Sequence, residues 1–175
     1  MASDGQKAVA DALAQLKSGE LAAHVTATSA DRKTWATSIA LKGNLANVAE
    51  VARQALEACE FVAAGPCLIV EANGHDGRDA TGGWPTQPRM LDHRGGQFDN
   101  WSVPFVSLGD RVTLKGYAGA GTPRALAVTI AGGWNWNNGA TIFDAIAAAY
   151  ASCQKANKGE ACILYAVNDR VVMTP

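Results

Sequence analysis

The chain has 175 residues, enough for one domain with a sizeable interior or for two small halves sharing a core. Its 15 basic and 16 acidic residues are scattered singly, so there is no basic stripe to neutralise phosphates, and nucleic acid is excluded as an expected partner. No apolar run approaches the roughly 20 residues of a membrane span, and no transmembrane segment is predicted.

In chain order, the first expectation is a helix over 3–24. Ser3 or Asp4 caps it, Val9, Leu13 and Leu16 share a face, and Gly19 ends or interrupts it. The polar residues over 26–33 read as a loop. Trp35, Thr37, Ile39 and Leu41 then alternate with Ala36, Ser38 and Ala40, the period of a strand. Asn47 followed by Glu50 approximates a capping box, and Val48, Val51, Ala52, Ala55, Leu56 and Cys59 fall on one helical face. Gly65-Pro66 stops that helix. Cys67-Leu68-Ile69-Val70 is a continuous apolar run, as for a strand covered on both faces, and Asn73-Gly74 is a turn signal.

The stretch 75–102 has neither helical nor strand period and is rich in glycine, charge and aromatics. Long irregular segments inside compact domains tend to carry function. Beyond it, alternation over 111–117 and again over 124–130 predicts a β-hairpin around the loop AGAGTP. A second polar, aromatic loop is predicted over 132–139. It leads into a helix opened by Thr141-x-x-Asp144, then a strand from Cys162 and a turn at Asn168.

These last elements repeat the earlier ones. Asn47 superposes on Thr141, Glu50 on Asp144, Cys59 on Cys153, Cys67 on Cys162 and Asn73 on Asn168. The predicted architecture is therefore α+β: a single domain over 1–175 with a mixed sheet and packed helices, built as an internal pseudo-twofold repeat of β-α-β units. Repeat one spans 34–74, the long loop 75–102 and repeat two 124–173. Strand–helix–strand links this short favour parallel neighbours with a right-handed crossover.

The four cysteines lack the C-x-x-C spacing of zinc or thioredoxin-like sites. Each pair joins the last turns of a helix to the start of the next strand, a junction that brings two Cα atoms within the ~5.5 Å of a bridge. Disulfides Cys59–Cys67 and Cys153–Cys162 are expected, and with them an oxidising, periplasmic or secreted location. Met1-Ala2-Ser3-Asp4 shows neither a basic n-region nor an apolar h-region, so the expectation of export carries with it a signal absent from this sequence.

At ALEAC…PCLIVEANG and AYASC…ACILYAVNDRVV the chain resembles a group of secreted bacterial proteins. In that group a helix ending A-x-x-x-C is followed by a C-x-LYAVN-like strand, sometimes appended to caspase-like or other enzymatic domains. GQFDNWSVPFVSLGDRVTLKGY is similar to the same group, so the likeness covers the C-terminal half well and the first repeat in part. The resemblance implies an exported protein with local disulfides and carries over no catalytic residue.

Candidate chemistry gathers in the loops. His75, Asp76, His93 and Arg94 could form a hydrolase-like site, since histidine titrates near neutral pH and can serve general acid–base work. No metal-ligand spacing is present, and no metal or other cofactor is predicted. No serine has a G-x-S-x-G context, and no glycine pair opens a helix behind a strand. Trp84, Arg89, Trp101, Trp134 and Trp136 lie among hydrogen-bonding residues, a composition that suits a glycan, small-molecule or protein ligand. The leading expectation is an exported, non-enzymatic binding module that uses the 74–102 and 132–139 loops. A hydrolase-like enzyme and a self-assembling cell-envelope protein, a homo-oligomer, are the alternatives.

Overall fold

Ala23, Val25 and Ala27 alternate with His24, Thr26 and Thr28, and this period of two makes a strand of a stretch whose polarity suggests a loop. The structure, a computed structural model of the chain, describes residues 14, 21–41, 48–76 and 95–173. It divides into two compact units, Met1–Pro88 and Arg89–Pro175.

In the first unit, β1 (Leu21–Ser29) is followed by β2 (Trp35–Leu41), helix α1 (Val48–Ala63), β3 (Cys67–Ala72) and β4 (His75–Asp76). The sheet order is β2-β1-β3-β4, and every neighbouring pair is antiparallel. The side chains of Ala23, Val25 and Ala27 pack against Val51, Ala52, Ala55 and Cys59 of α1. The helix expected over 3–24 is thus corrected at its end, where residues 21–24 are strand. Its earlier part, apart from helical Ala14, lies outside the described residues. The expected loop over 26–33 is β1 and a tight turn, in which Arg32 N–H donates to Ser29 O at 2.9 Å.

The position of β1 also corrects the β-α-β expectation. It lies between β2 and β3 and pairs antiparallel with both, so the two strands linked by α1 are not neighbours. The sheet is antiparallel rather than mixed because the short α1 crossover skips one strand, and β1 fills the gap.

A second stripe of α1 is buried as well. The Arg53 guanidinium lies 2.5 Å from both Glu50 Oε1 and Glu57 Oε2, and all three side chains are nearly inaccessible. Burial works against the Arg53 charge, but the two carboxylates outweigh it and hold its pKa above the usual value.

The second unit begins, among the described residues, with a short extended segment. It is followed by a 3-10 turn (Asn100–Ser102), helices α2 (Leu108–Thr113) and α3 (Lys115–Gly119), and strands β5 (Arg124–Val128) and β6 (Trp134–Asn138). Helix α4 (Ile142–Ala156) and strands β7 (Ile163–Val167) and β8 (Arg170–Val171) complete it. The sheet order is β6-β5-β7-β8, again antiparallel throughout. Ala125 and Ala127 pack under Ala145, Ala149 and Cys153 of α4.

Two expectations fail here. The predicted hairpin over 111–130 is helical in its first arm. Ser107 Oγ accepts from Asp110 N–H at 3.1 Å to cap α2, and Arg111, Leu114 and Tyr117 are buried at every third position. The partner of β5 is instead β6, so most of the 132–139 segment is a strand rather than a loop. The turn before it needs Gly132, whose φ is +94° and whose missing Cβ would meet Phe105 O at 3.2 Å.

Both predicted disulfides are present, with Cα–Cα distances of 6.1 Å for Cys59–Cys67 and 6.3 Å for Cys153–Cys162. The Thr141–Asp144 capping box is also present. Asn73 and Asn168 each lead a turn at φ 51°. The Asn73 side chain accepts from His24 N–H at 2.8 Å, and that of Asn168 accepts from Arg124 N–H at 3.1 Å. Among the described residues no helix is long and apolar enough to cross a membrane.

Candidate functional site

The second unit holds Trp101 in place by its backbone and leaves its side chain in water. Asp99 caps the 3-10 turn: its carboxylate accepts from Trp101 N–H at 3.2 Å and from the Ser102 hydroxyl at 2.8 Å. From the other side the buried Arg111 guanidinium donates to the carbonyls of Trp101 and Val103, and Asn100 Nδ2 donates to Arg111 O at 2.9 Å. Between these clamps the indole remains 48 % exposed, with the Lys115 ammonium 5.9 Å from its ring centroid.

Helix α3 carries this cation and also reaches a second indole. A Cβ on Gly116 would lie 3.7 Å from Trp136 Cζ2, and the Tyr117 ring meets Trp136 edge-on at 6.0 Å. Trp134 and Trp136 alternate with Asn135 and Asn137 on β6, so both indoles share the sheet face opposite α4. Asn137, on the α4 side, donates to Ser152 Oγ at 2.8 Å. Trp134 and Trp136 are half-buried. Helix α3 thus meets Trp101 through Lys115 and Trp136 through Gly116 and Tyr117.

Tyr117 anchors α3 from beneath. It meets the Phe98 ring edge-on at 4.6 Å between centroids and lies under the Arg124 guanidinium at 5.0 Å. Burial pushes its phenol up to about 12, with Arg124 working in the opposite direction. Arg124 in turn donates to Ala120 O and to the Asp169 carboxylate. Asp169 lines a groove of about 330 Å³ together with Gly95, Gly96, Gln97 and Arg170.

Of the residues singled out from the sequence, Trp101 and Trp136 lie against α3, and Trp134 shares the β6 face of Trp136. Trp84, Arg89, His93 and Arg94 lie outside the described residues. His75 is exposed on β4 opposite Ala72, and Asp76 pairs with Glu71 of β3. Among the described residues no three metal-ligating side chains come together.

Sequence reasoning misses Lys115, Arg111 and Tyr117 because 111–117 reads as a strand, and it does not single out Asp99 within the irregular 75–102 stretch. The available signal was Ser107-x-x-Asp110, a helix start of the same form as Thr141-x-x-Asp144. His24, unlinked to anything in the sequence, is buried with its Nδ1 2.7 Å from Glu71 Oε2. Burial disfavours the Glu71 charge, but the His24 contact, the Gly74 N–H at 2.5 Å and the Thr26 hydroxyl together outweigh it. They hold the carboxyl below its usual value.

No protein-family model, curated protein or solved structure matches the chain.

Proposed function

We propose that the chain is an exported, non-enzymatic binding module that takes a glycan on the surface formed by Trp101, Lys115, Trp134 and Trp136. The observation that carries this reading is Trp101. Leaving about half of a ~200 Å² indole in water forgoes roughly 2–3 kcal/mol of burial. Yet the backbone on both sides of that indole is fixed by Asp99 and Arg111. A rigid, exposed aromatic loses little entropy on binding, which is the property of an interface anchor. Its flat face suits the C–H face of a sugar ring, and Lys115 favours a sugar that carries a carboxylate.

Export is supported by the two disulfides, which persist in oxidising compartments. The shared strand order supports reading the units as two copies of one β-β-α-β-β design. So do the register shift opposite Thr26–Ala27, where β3 carries the extra residue Val70, that opposite Leu126–Ala127, where β7 carries Tyr165, and the matching Asn73 and Asn168 turns.

The test is binding of the full chain to immobilised neutral and uronic-acid oligosaccharides. Trp101→Ala should weaken binding at least tenfold, and Lys115→Ala should weaken the acidic sugars selectively. A wild-type chain that binds no member of either set defeats the proposal.

A further inference from the structure

Strand β2 lies at the edge of the first sheet. Among the described residues its backbone hydrogen-bonds to β1 alone, so alternate N–H and C=O groups on its outer side stand unpaired. Natural sheet edges are blunted by charged residues, proline, bulges or brevity, because an open edge templates further pairing. The seven residues of β2, WATSIAL, contain no charge, no proline and no glycine. Trp35, Ile39 and Leu41 are 45 %, 48 % and 55 % exposed. With Thr37, also exposed, they form one row along the strand.

We propose that β2 is the contact surface of a homodimer in which two copies of the chain join by antiparallel β2–β2 pairing. A twofold axis at Ser38 sets Trp35 opposite Leu41 of the second copy and Thr37 opposite Ile39, with each pair formed twice. Aromatic–aliphatic and β-branched cross-strand pairs are the favourable kind, at about 0.2–1 kcal/mol each. The uncharged strand is what selects a second copy as occupant. A twofold contact places a segment against itself, so any charge near the axis would meet its like, and β2 has none. Lys33, which precedes the segment in sequence, falls beyond the last pair.

Light scattering on a dilution series of the full chain, combined with hydrogen exchange, tests this. The mass should double with rising concentration, and the amides over 35–41 should exchange more slowly as it does. Ile39→Lys should shift the monomer–dimer midpoint at least tenfold upward while the far-UV circular dichroism stays that of the wild type. Should that variant fold poorly, the wild-type exchange pattern decides alone. A mass that stays single at every concentration overturns the proposal. So does one that grows without limit, or doubles with the 35–41 amides unchanged.

Discussion

The Tyr117 hydroxyl donates to Asn168 O at 2.7 Å, tying α3 to the β7–β8 turn across 51 positions of sequence. The same asparagine holds Arg124 through its side chain at 3.1 Å, and Arg124 covers the Tyr117 ring. The floor of the aromatic surface is thus a closed loop of three residues from three elements. Tyr117→Phe should cost about 1–2 kcal/mol, the range for a lost hydrogen bond that strands a shielded carbonyl. It should appear as a lower urea midpoint with an unchanged slope.

The same phenol makes stability depend on alkaline pH. Its folded pKa, about 12, lies above the unfolded value near 10, so its contribution is complete below about pH 10. It is lost as pH rises from there toward 12. Urea midpoints measured across that window should fall more steeply for the wild type than for Tyr117→Phe, and parallel curves would refute the assignment.

Each disulfide closes a short loop, of separation 8 for Cys59–Cys67 and 9 for Cys153–Cys162. Restricting the unfolded chain over loops of that length contributes about 2.5 kcal/mol per bridge. Replacing both Cys153 and Cys162 by alanine should therefore lower stability by about 2–3 kcal/mol. Because Ala125 and Ala127 still pack against Ala145 and Ala149 without the two sulfurs, the far-UV spectrum should be retained. Reductant added to the wild type should lower the melting temperature, and a smaller drop is expected in the variant that already lacks one bridge.

What the sequence made legible followed from strong local signals. The cap at Thr141, the helical periods of α1 and α4, the cysteine junctions and the Asn168 turn are each set by a few neighbouring residues. The losses have two physical causes: polarity hides a strand period in one stretch, and a short alternation hides a helical period in another. Strand β1 alternates alanine and valine with histidine and threonine. The polar members are buried beside Glu71, Thr37 and Thr34 O, so the stretch looks like a solvated loop while lying inside the sheet. In the 111–117 stretch the apparent alternation of Val112 and Leu114 concealed the period of three that buries Arg111, Leu114 and Tyr117. Both errors removed partners from view: His24 lost Glu71, and Trp101 lost Arg111 and Lys115. The aromatic residues of the candidate surface were visible as types, but the elements that hold them were not.

Glu71 gives the first unit an acid-side pH dependence. Its folded pKa is depressed, so its contribution is present above the unfolded value near 4.3 and is lost as pH falls through the folded one. Glu71→Gln keeps the side-chain shape and removes the charge. The variant should be less stable than the wild type at pH 7, and the difference should shrink as pH falls through the depressed folded value. Urea midpoints of the two proteins between pH 7 and 3 measure this directly. A gap independent of pH would show that the charge is not what Thr26, Gly74 and His24 are holding.

Gly139 sits at a tight backbone approach in the second unit. A Cβ there would lie 2.3 Å from Ala145 N and 2.8 Å from Asp144 Cβ, in the first turn of α4 where the capping box is formed. The obstacle is mostly main chain, and the Gly139 N–H is itself engaged with Pro123 O at 3.1 Å, so neither side of the contact yields easily. Gly139→Ala should cost about 1–3 kcal/mol, the range for overpacking. Part of that loss should come from prising Asp144 away from Thr141. Gly121→Ala is the control, since a Cβ there meets nothing within 4 Å, and its urea midpoint should stay within error of the wild type. Equal effects at both positions would mean that generic glycine entropy, rather than the approach of β6 to α4, sets the response.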